Sequence, residues 1–318
     1  MHCCNSIKKI FFLLGLGLSS LAFGQDVEHY GRVEAMGQAG AANPGENTAI
    51  TLSPATLGLR ERYELQTNFW ITGGPDYSLS GSIADSTTSA VALGIVYHRT
   101  RSTGGVDARE FPGWVDSGEA WARRKRYDNV TLALAYPMLE NRLSIGINGT
   151  LAVYNHDVQG KGVTGNIDFA VAGRPVESWA LTLVGRNLLP ISGCKPNQRR
   201  ACIPDFDSGI LIGSHLGKED FGALALDVDI HLTQQGEGPP VSVRTGFEKL
   251  FSKVNAQIGY RWEGPTQEHW ITTGVGMMEK NTGLHYALSI PLHSKPFDPL
   301  AATHMLSLRV AALGSNRP

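Results

Sequence analysis

The sequence predicts an all-β protein, a transmembrane antiparallel β-barrel of about 14 strands with an N-terminal segment plugging its lumen. Three observations predict it. Short segments alternate between large aliphatic and small or polar residues along nearly the whole chain, as in Leu143-Ser-Ile145-Gly-Ile147-Asn-Gly-Thr-Leu151-Ala-Val153. Successive strand side chains point to opposite faces, so each such segment has one apolar and one polar side. Helical spacing of apolar residues is scarce after Gln25, and no later run of 18 or more apolar residues could form a membrane-crossing helix. The polar face carries charges of both signs, which in a dry core would be very costly but in a hydrated or plugged lumen are solvated or paired.

The first element, residues 1–24, has the form of a secretory signal peptide. Lys8 and Lys9 precede the apolar run from Ile10 to Leu18, and Ala22-Phe23-Gly24 gives a small-residue exit before Gln25. The run is short for a bilayer span, which needs about 20 residues. Cys3 and Cys4 leave with this peptide, and export through it leads to the cell outer membrane of a Gram-negative cell envelope.

Residues 25–60 form the second element, the plug or hatch. Small residues and Asn/Pro turns fill Arg32 to Leu59 and suit a segment tucked against a barrel wall.

Residues 61–311 hold the strands, each marked by its outward set. In order these are Tyr63, Leu65 and Phe69; Tyr77, Leu79 and Ile83; Val91, Leu93, Ile95 and Tyr97; and Val130, Leu132, Leu134 and Tyr136. The Leu143 strand follows, then Val163, Ile167 and Phe169; Trp179, Leu181 and Leu183; and the weakest set, Ile210 with Ile212. The second half gives Leu224, Leu226, Val228 and Ile230; Val241, Val243 and Phe247; Val254, Ile258, Tyr260 and Trp262; Ile271, Val275 and Met277; Leu284, Tyr286, Leu288 and Ile290; and Leu306, Leu308 and Val310. Tyr, Trp or Phe at the ends of several sets matches the aromatic girdles of membrane barrels. The inward positions are Ser144, Asn148, Asp168, Arg186, Asp227, Asp229, Arg244, Glu248, Asn255, Gln257, Arg261, His285 and Arg309.

With the amino end periplasmic, short connections fall on that side, at 84–89, 137–141, 172–175, 215–220, 249–253 and 279–281. Longer ones fall outside, at 100–126, 155–162, 187–206, 233–240 and 293–303, which is the usual asymmetry. Residues 312–318 are a short tail.

Two outer loops carry features of their own. The first holds Phe111, Trp114 and Trp121 beside Arg123-Arg-Lys-Arg126, an aromatic and cationic patch suited either to an amphipathic anion such as a fatty acid or to lipopolysaccharide phosphates, although such a run is more often a solvated loop edge. The second holds Cys194 and Cys202, read as a loop disulfide in an oxidising compartment, with a metal or redox pair as the rival reading.

Composition narrows the function. The 318 residues include 37 Gly and carry a formal net charge of -1, which argues against a nucleic-acid binder. Phosphate-loop and metal-ligand motifs are lacking, so no cofactor or metal is expected. Catalysis is not expected either. His285 and Ser289 share a face four residues apart, too far for a nucleophile and its base at about 3.3 Å rise per residue. Asp227 and Asp229 could each pair with Arg244 across adjacent strands.

The plug segment also carries a resemblance. Met36-Gly37-Gln38-Ala39-Gly40, then a polar stretch, then Ser53-Pro54-Ala55-Thr56-Leu57 resembles the opening of the FadL-like outer-membrane barrels, the superfamily of fatty-acid transporters and PorV/PorQ-type proteins. Val184-Gly-Arg-Asn-Leu188, Arg244-Thr-Gly-Phe-Glu248, Val254 to Arg261 and the final strand His304 to Val310 are similar to strand motifs of the PorV-like branch. Ser53 replaces the usual Asn, and residues 311–318 trail past the last strand, where an aromatic end usually meets the barrel assembly machinery.

The resemblance implies a fourteen-strand barrel with its N-terminal hatch inside. Met36, Gly37, Gly40, Ser53, Pro54, Ala55 and Leu57 would then line an interior path for a hydrophobic small molecule, or simply brace the barrel. Its implied partners are outer-membrane lipid and lipopolysaccharide, the assembly machinery, and either an apolar ligand or, in a PorV-like role, an exported protein.

Overall fold

The structure, a computed structural model, describes residues 30–44, 46–72, 77–102, 125–156, 160–189, 191–192, 208–218, 222–233, 238–279, 281–292 and 302–313. Alternation produces the predicted strands: β1 (Arg62–Thr72), β2 (Tyr77–Asp85), β3 (Ala92–Ser102), β4 (Lys125–Met138), β5 (Leu143–His156), β6 (Gly160–Val176) and β7 (Trp179–Arg186). After a two-residue piece, β8 (Ile191–Ser192), come β9 (Gly209–Lys218), β10 (Gly222–His231), β11 (Val241–Phe251), β12 (Val254–Glu263), β13 (Glu268–Met278), β14 (Thr282–Pro291) and β15 (Thr303–Leu313).

Sequential neighbours pair antiparallel, β7 pairs with β9, and β15 returns to pair with β1 from Arg62↔Leu313 to Thr72↔Thr303. Setting β8 aside, fourteen strands make a closed ring. Closure satisfies the edge amides and carbonyls that an open sheet would leave bare in hydrocarbon.

The exposure pattern is that of a membrane barrel rather than a water-soluble sandwich. Leu65, Ile83, Leu132, Ile147, Leu183, Leu226, Ile258, Val275 and Leu308 are exposed on the outside, while Ser144, Asn148, Asp227, Asn255, Gln257 and His285 are buried within. An outside this greasy around a polar inside is stable only when the outer solvent is lipid.

The proximal end, where β1 begins, carries tight connections such as 139–142, 177–178 and 252–253. The distal connections β3–β4 and β14–β15 are longer.

Several expected boundaries move. The turn expected at 172–175 lies within β6, which continues to Val176 through a register shift between Gly173 and Val176, so the turn falls at Glu177-Ser178. The expected turn at 215–220 starts too early, because β9 is a full ten-residue strand running to Lys218. Pro137 and Met138 end β4, Arg126 lies inside β4, and β5 and β6 leave only 157–159 between them where 155–162 was expected. The last strand extends to Leu313.

Candidate functional site

Residues 30–59 are not strand because small residues, Pro and left-handed turns prevent extension. A short helix (Gly31–Ala35) ends where Gly37 and Gln38 take positive φ of 69° and 63°, and the Gln38 amide donates back to the Val33 carbonyl at 2.8 Å. That reverses the chain as helix C-terminal caps do. A second single turn (Ala49–Leu52) leads into a 3-10 turn (Pro54–Leu59) that Pro54 opens, its fixed φ suited to a first helical position.

This inner segment touches inward-facing residues around the ring. The Gly40 and Ala41 amides donate to Asp227 of β10 at 2.8 and 2.9 Å. Thr272 of β13 donates to the Ala35 carbonyl at 3.0 Å, and Asn148 of β5 donates to the Ile50 carbonyl at 3.0 Å. Ser53 and Thr182 of β7 share a hydrogen bond at 2.6 Å, and Asn47 donates to Ser82 of β2 at 2.8 Å.

Glycines on the wall let its backbone approach. A Cβ added at Gly146 would fall within 3.0 Å of Pro54 and Ala55, at Gly246 within 3.0 Å of Met36, and at Gly259 within 3.0 Å of Met36 and Gly37.

A charge cluster binds the segment at the proximal half of the lumen. Arg32 donates to both carboxylate oxygens of Glu248 on β11, at 2.8 and 2.7 Å, and also pairs with Glu46. Asn255 and Gln257 donate to Glu248 at 2.9 and 2.7 Å, and Arg309 lies 3.6 Å from Glu46. Bidentate pairing of this kind fixes orientation as well as charge. Arg32 and Glu46 drew no attention in the sequence because isolated charges in a loop-like stretch usually face water. The missed signal was one Arg and two Glu, Glu34 and Glu46, in a segment otherwise without charge.

A separate distal ladder joins Arg186 to Asp229, Asp229 to Arg244 at 3.7 Å, Arg244 to Glu263 at 3.1 Å and Arg261 to Glu263 at 3.8 Å. Asp229 is thus the carboxylate that pairs with Arg244, while Asp227 is spent on the inner segment. His285 and Ser289 are not partners: Ser289 donates to Glu34, and neither ring nitrogen of His285 has a hydrogen-bond partner among the described residues.

The expected path residues Met36, Gly37, Gly40, Ser53, Pro54, Ala55 and Leu57 are all brought inside the barrel, and all are buried. Each packs against the wall or its own segment. The remaining candidates, Phe111, Trp114, Trp121, Cys194 and Cys202, lie outside the described residues, as do residues 1–24.

Comparison with solved structures settles the fold. CymD, a monoaromatic hydrocarbon channel, superposes with a TM-score of 0.61 at 11% identity, covering 92% of this chain and 100% of that one. The chain has the FadL-type barrel fold. The Pseudomonas putida toluene transporter TodX superposes at 0.59 with 11% identity over 89% of this chain and 96% of that one. A Pseudomonas aeruginosa FadL homologue gives 0.57 with 9% identity over 89% and 97%. No protein-family model and no curated protein matches the sequence. At such identities the likeness establishes the FadL-type architecture, and residue roles must come from this chain's own geometry.

Proposed function

We propose that this chain is an outer-membrane channel that moves small hydrophobic molecules, of monoaromatic or fatty-acid size, past an inner segment at residues 30–59 that acts as its gate. The observation that carries this reading is the likeness, over nearly the whole of both chains, to two proteins described as hydrocarbon channel and toluene transporter. The anchoring supports it. Hydrogen bonds and the Arg32–Glu248 pair hold the segment to separate strands, so its contacts can break a few at a time while the ring stays closed. In this reading Met36, Gly37, Gly40, Ser53, Pro54, Ala55 and Leu57 face the passage when the segment shifts, and the loop aromatics Phe111, Trp114 and Trp121 collect the ligand.

The close packing of those seven residues favours a second reading, a PorV-like barrel that binds exported proteins and whose segment is a permanent brace. Mass spectrometry of everything retained by the mature protein purified from outer membranes in mild detergent separates the two. A stoichiometric apolar molecule supports the channel. A stoichiometric polypeptide without one overturns it in favour of the protein-binding barrel.

A further inference from the structure

Among the described residues, the outer wall carries a cationic cluster set among apolar neighbours. On β3, Leu93, Ile95, Tyr97, Arg99 and Arg101 share the outward face, and on β4, Arg126 and Asp128 continue the face of Val130 and Leu132. The register sets Arg99 opposite Asp128 and Arg101 opposite Arg126. Asp128 accepts from Tyr97, Arg99 and Arg126, each at 2.6 Å. The Arg99 guanidinium also lies 5.7 Å from the Tyr97 ring centroid.

Two guanidiniums share the Asp128 carboxylate and Arg101 stands opposite one of them, so among the described residues the cluster carries a net charge of +2, three arginines against one aspartate. Arg101 forms no ion pair among the described residues. Like charges directly opposite on adjacent strands destabilise a sheet, so the Arg101–Arg126 pair calls for an anion. Depth identifies which one. The cluster sits at the distal end, just past Tyr97, where aliphatic wall gives way to an aromatic side chain with a polar tip. That is the level at which a membrane barrel meets lipid headgroups. A soluble anion would not need the contiguous apolar wall below, whereas a phosphorylated lipid uses both, its acyl chains on Leu93, Ile95, Val130 and Leu132 and its phosphate on the guanidiniums.

We infer that Arg99, Arg101 and Arg126 form a binding site on the barrel's outer wall for the phosphate group of a lipid in the distal leaflet, where the phosphate competes with Asp128 for their donors. Guanidinium forks match phosphate oxygens in bidentate geometry, which a lysine would not reproduce. The site is separate from the lumen and does not depend on what passes through it.

The test uses the full mature chain in neutral-lipid nanodiscs, titrated with bis-phosphorylated lipid A or its fully dephosphorylated form and read by native mass spectrometry. The expected result is a preference of roughly tenfold or more for the phosphorylated lipid, abolished in Arg101→Ala/Arg126→Ala and not competed by millimolar inorganic phosphate. Asp128→Asn provides an opposite sign. It removes the competing carboxylate and should raise the preference severalfold, so it decides the matter even where the double variant does not fold. Equal binding of the two lipids, an undiminished preference in the folded double variant, a weaker one in Asp128→Asn, or equal displacement by inorganic phosphate would each overturn the inference.

Discussion

Asp227 on β10 accepts hydrogen bonds from the consecutive backbone amides of Gly40 and Ala41, at 2.8 and 2.9 Å across sequence separations of 187 and 186. One carboxylate oxygen thereby serves two amides in a turn that would otherwise be buried without acceptors. Asp227→Ala should cost about 1–3 kcal/mol of segment anchoring. Limited proteolysis of residues 30–59 reads that loss, while the folded barrel keeps its heat-modifiable migration. Asp227→Asn retains an acceptor and should show the smaller effect.

The Arg32 cluster gives a pH dependence. Burial alone raises the Glu46 carboxyl, but Arg32 and then Arg309 outweigh it and hold the group down to about 2, against an ordinary 4.5. Because the folded value lies below the unfolded one, this stabilisation is fully present above the unfolded value and is lost as pH falls toward the folded one. The protection factors of residues 30–59, exchange rates taken relative to the intrinsic rate at each pH, should be high near neutrality and fall progressively as pH drops from about 4.5 to about 2. Arg32→Ala should shift that onset upward. Protection independent of pH across the window would remove Glu46 from the anchor.

Wall glycines should be far less tolerant than lipid-facing ones. Gly259→Ala places a methyl against the backbone of Gly37, and overpacking of this kind costs about 1–3 kcal/mol, which here displaces the segment. Gly81→Ala meets nothing within 4 Å and should behave as wild type. Segment proteolysis of the two variants side by side checks the contrast.

The outward face makes its own prediction. Leu132 lies midway along β4 and is exposed, so Leu132→Arg should destabilise the barrel in bilayers by about 2–4 kcal/mol. Leu139 sits in the turn that follows, and Leu139→Arg should be near neutral. Urea refolding titrations into phospholipid vesicles measure both.

The barrel was legible in the sequence because hydrocarbon outside and polar lumen inside impose a strict period of two. The outward sets Leu93/Ile95/Tyr97 and Leu306/Leu308/Val310 are where alternation put them. It failed where the inner segment intrudes. Leu211 is buried against that segment, with Tyr30 and Leu52 in the same cluster, so Ile210-Leu211-Ile212 loses its alternation and β9 looked weak. Arg174-Pro175 imitates a turn, yet neighbouring strands carry β6 through it, with the Arg174 amide donating to the Arg142 carbonyl at 2.7 Å. The small-residue motifs at Met36–Gly40 and Ser53–Leu57 pointed to the interior. Their anchors, Asp227 and Thr182, could be placed on the inward face but not matched to them, because such pairings depend on how the segment winds through the lumen.

The central claim is that residues 30–59 must move for an apolar molecule to pass. Ser53 and Thr182 lie with their oxygens 2.6 Å apart, on the segment and on β7, which makes them the place to lock it. The decisive measurement is toluene uptake by cells carrying Ser53→Cys/Thr182→Cys, with Cys194 and Cys202 replaced by Ser, before and after reduction of the engineered disulfide. The account predicts uptake at the level of cells lacking the protein while the disulfide is closed, and wild-type uptake once it is reduced. Equal uptake in the locked and reduced states, above that of cells lacking the protein, would contradict it.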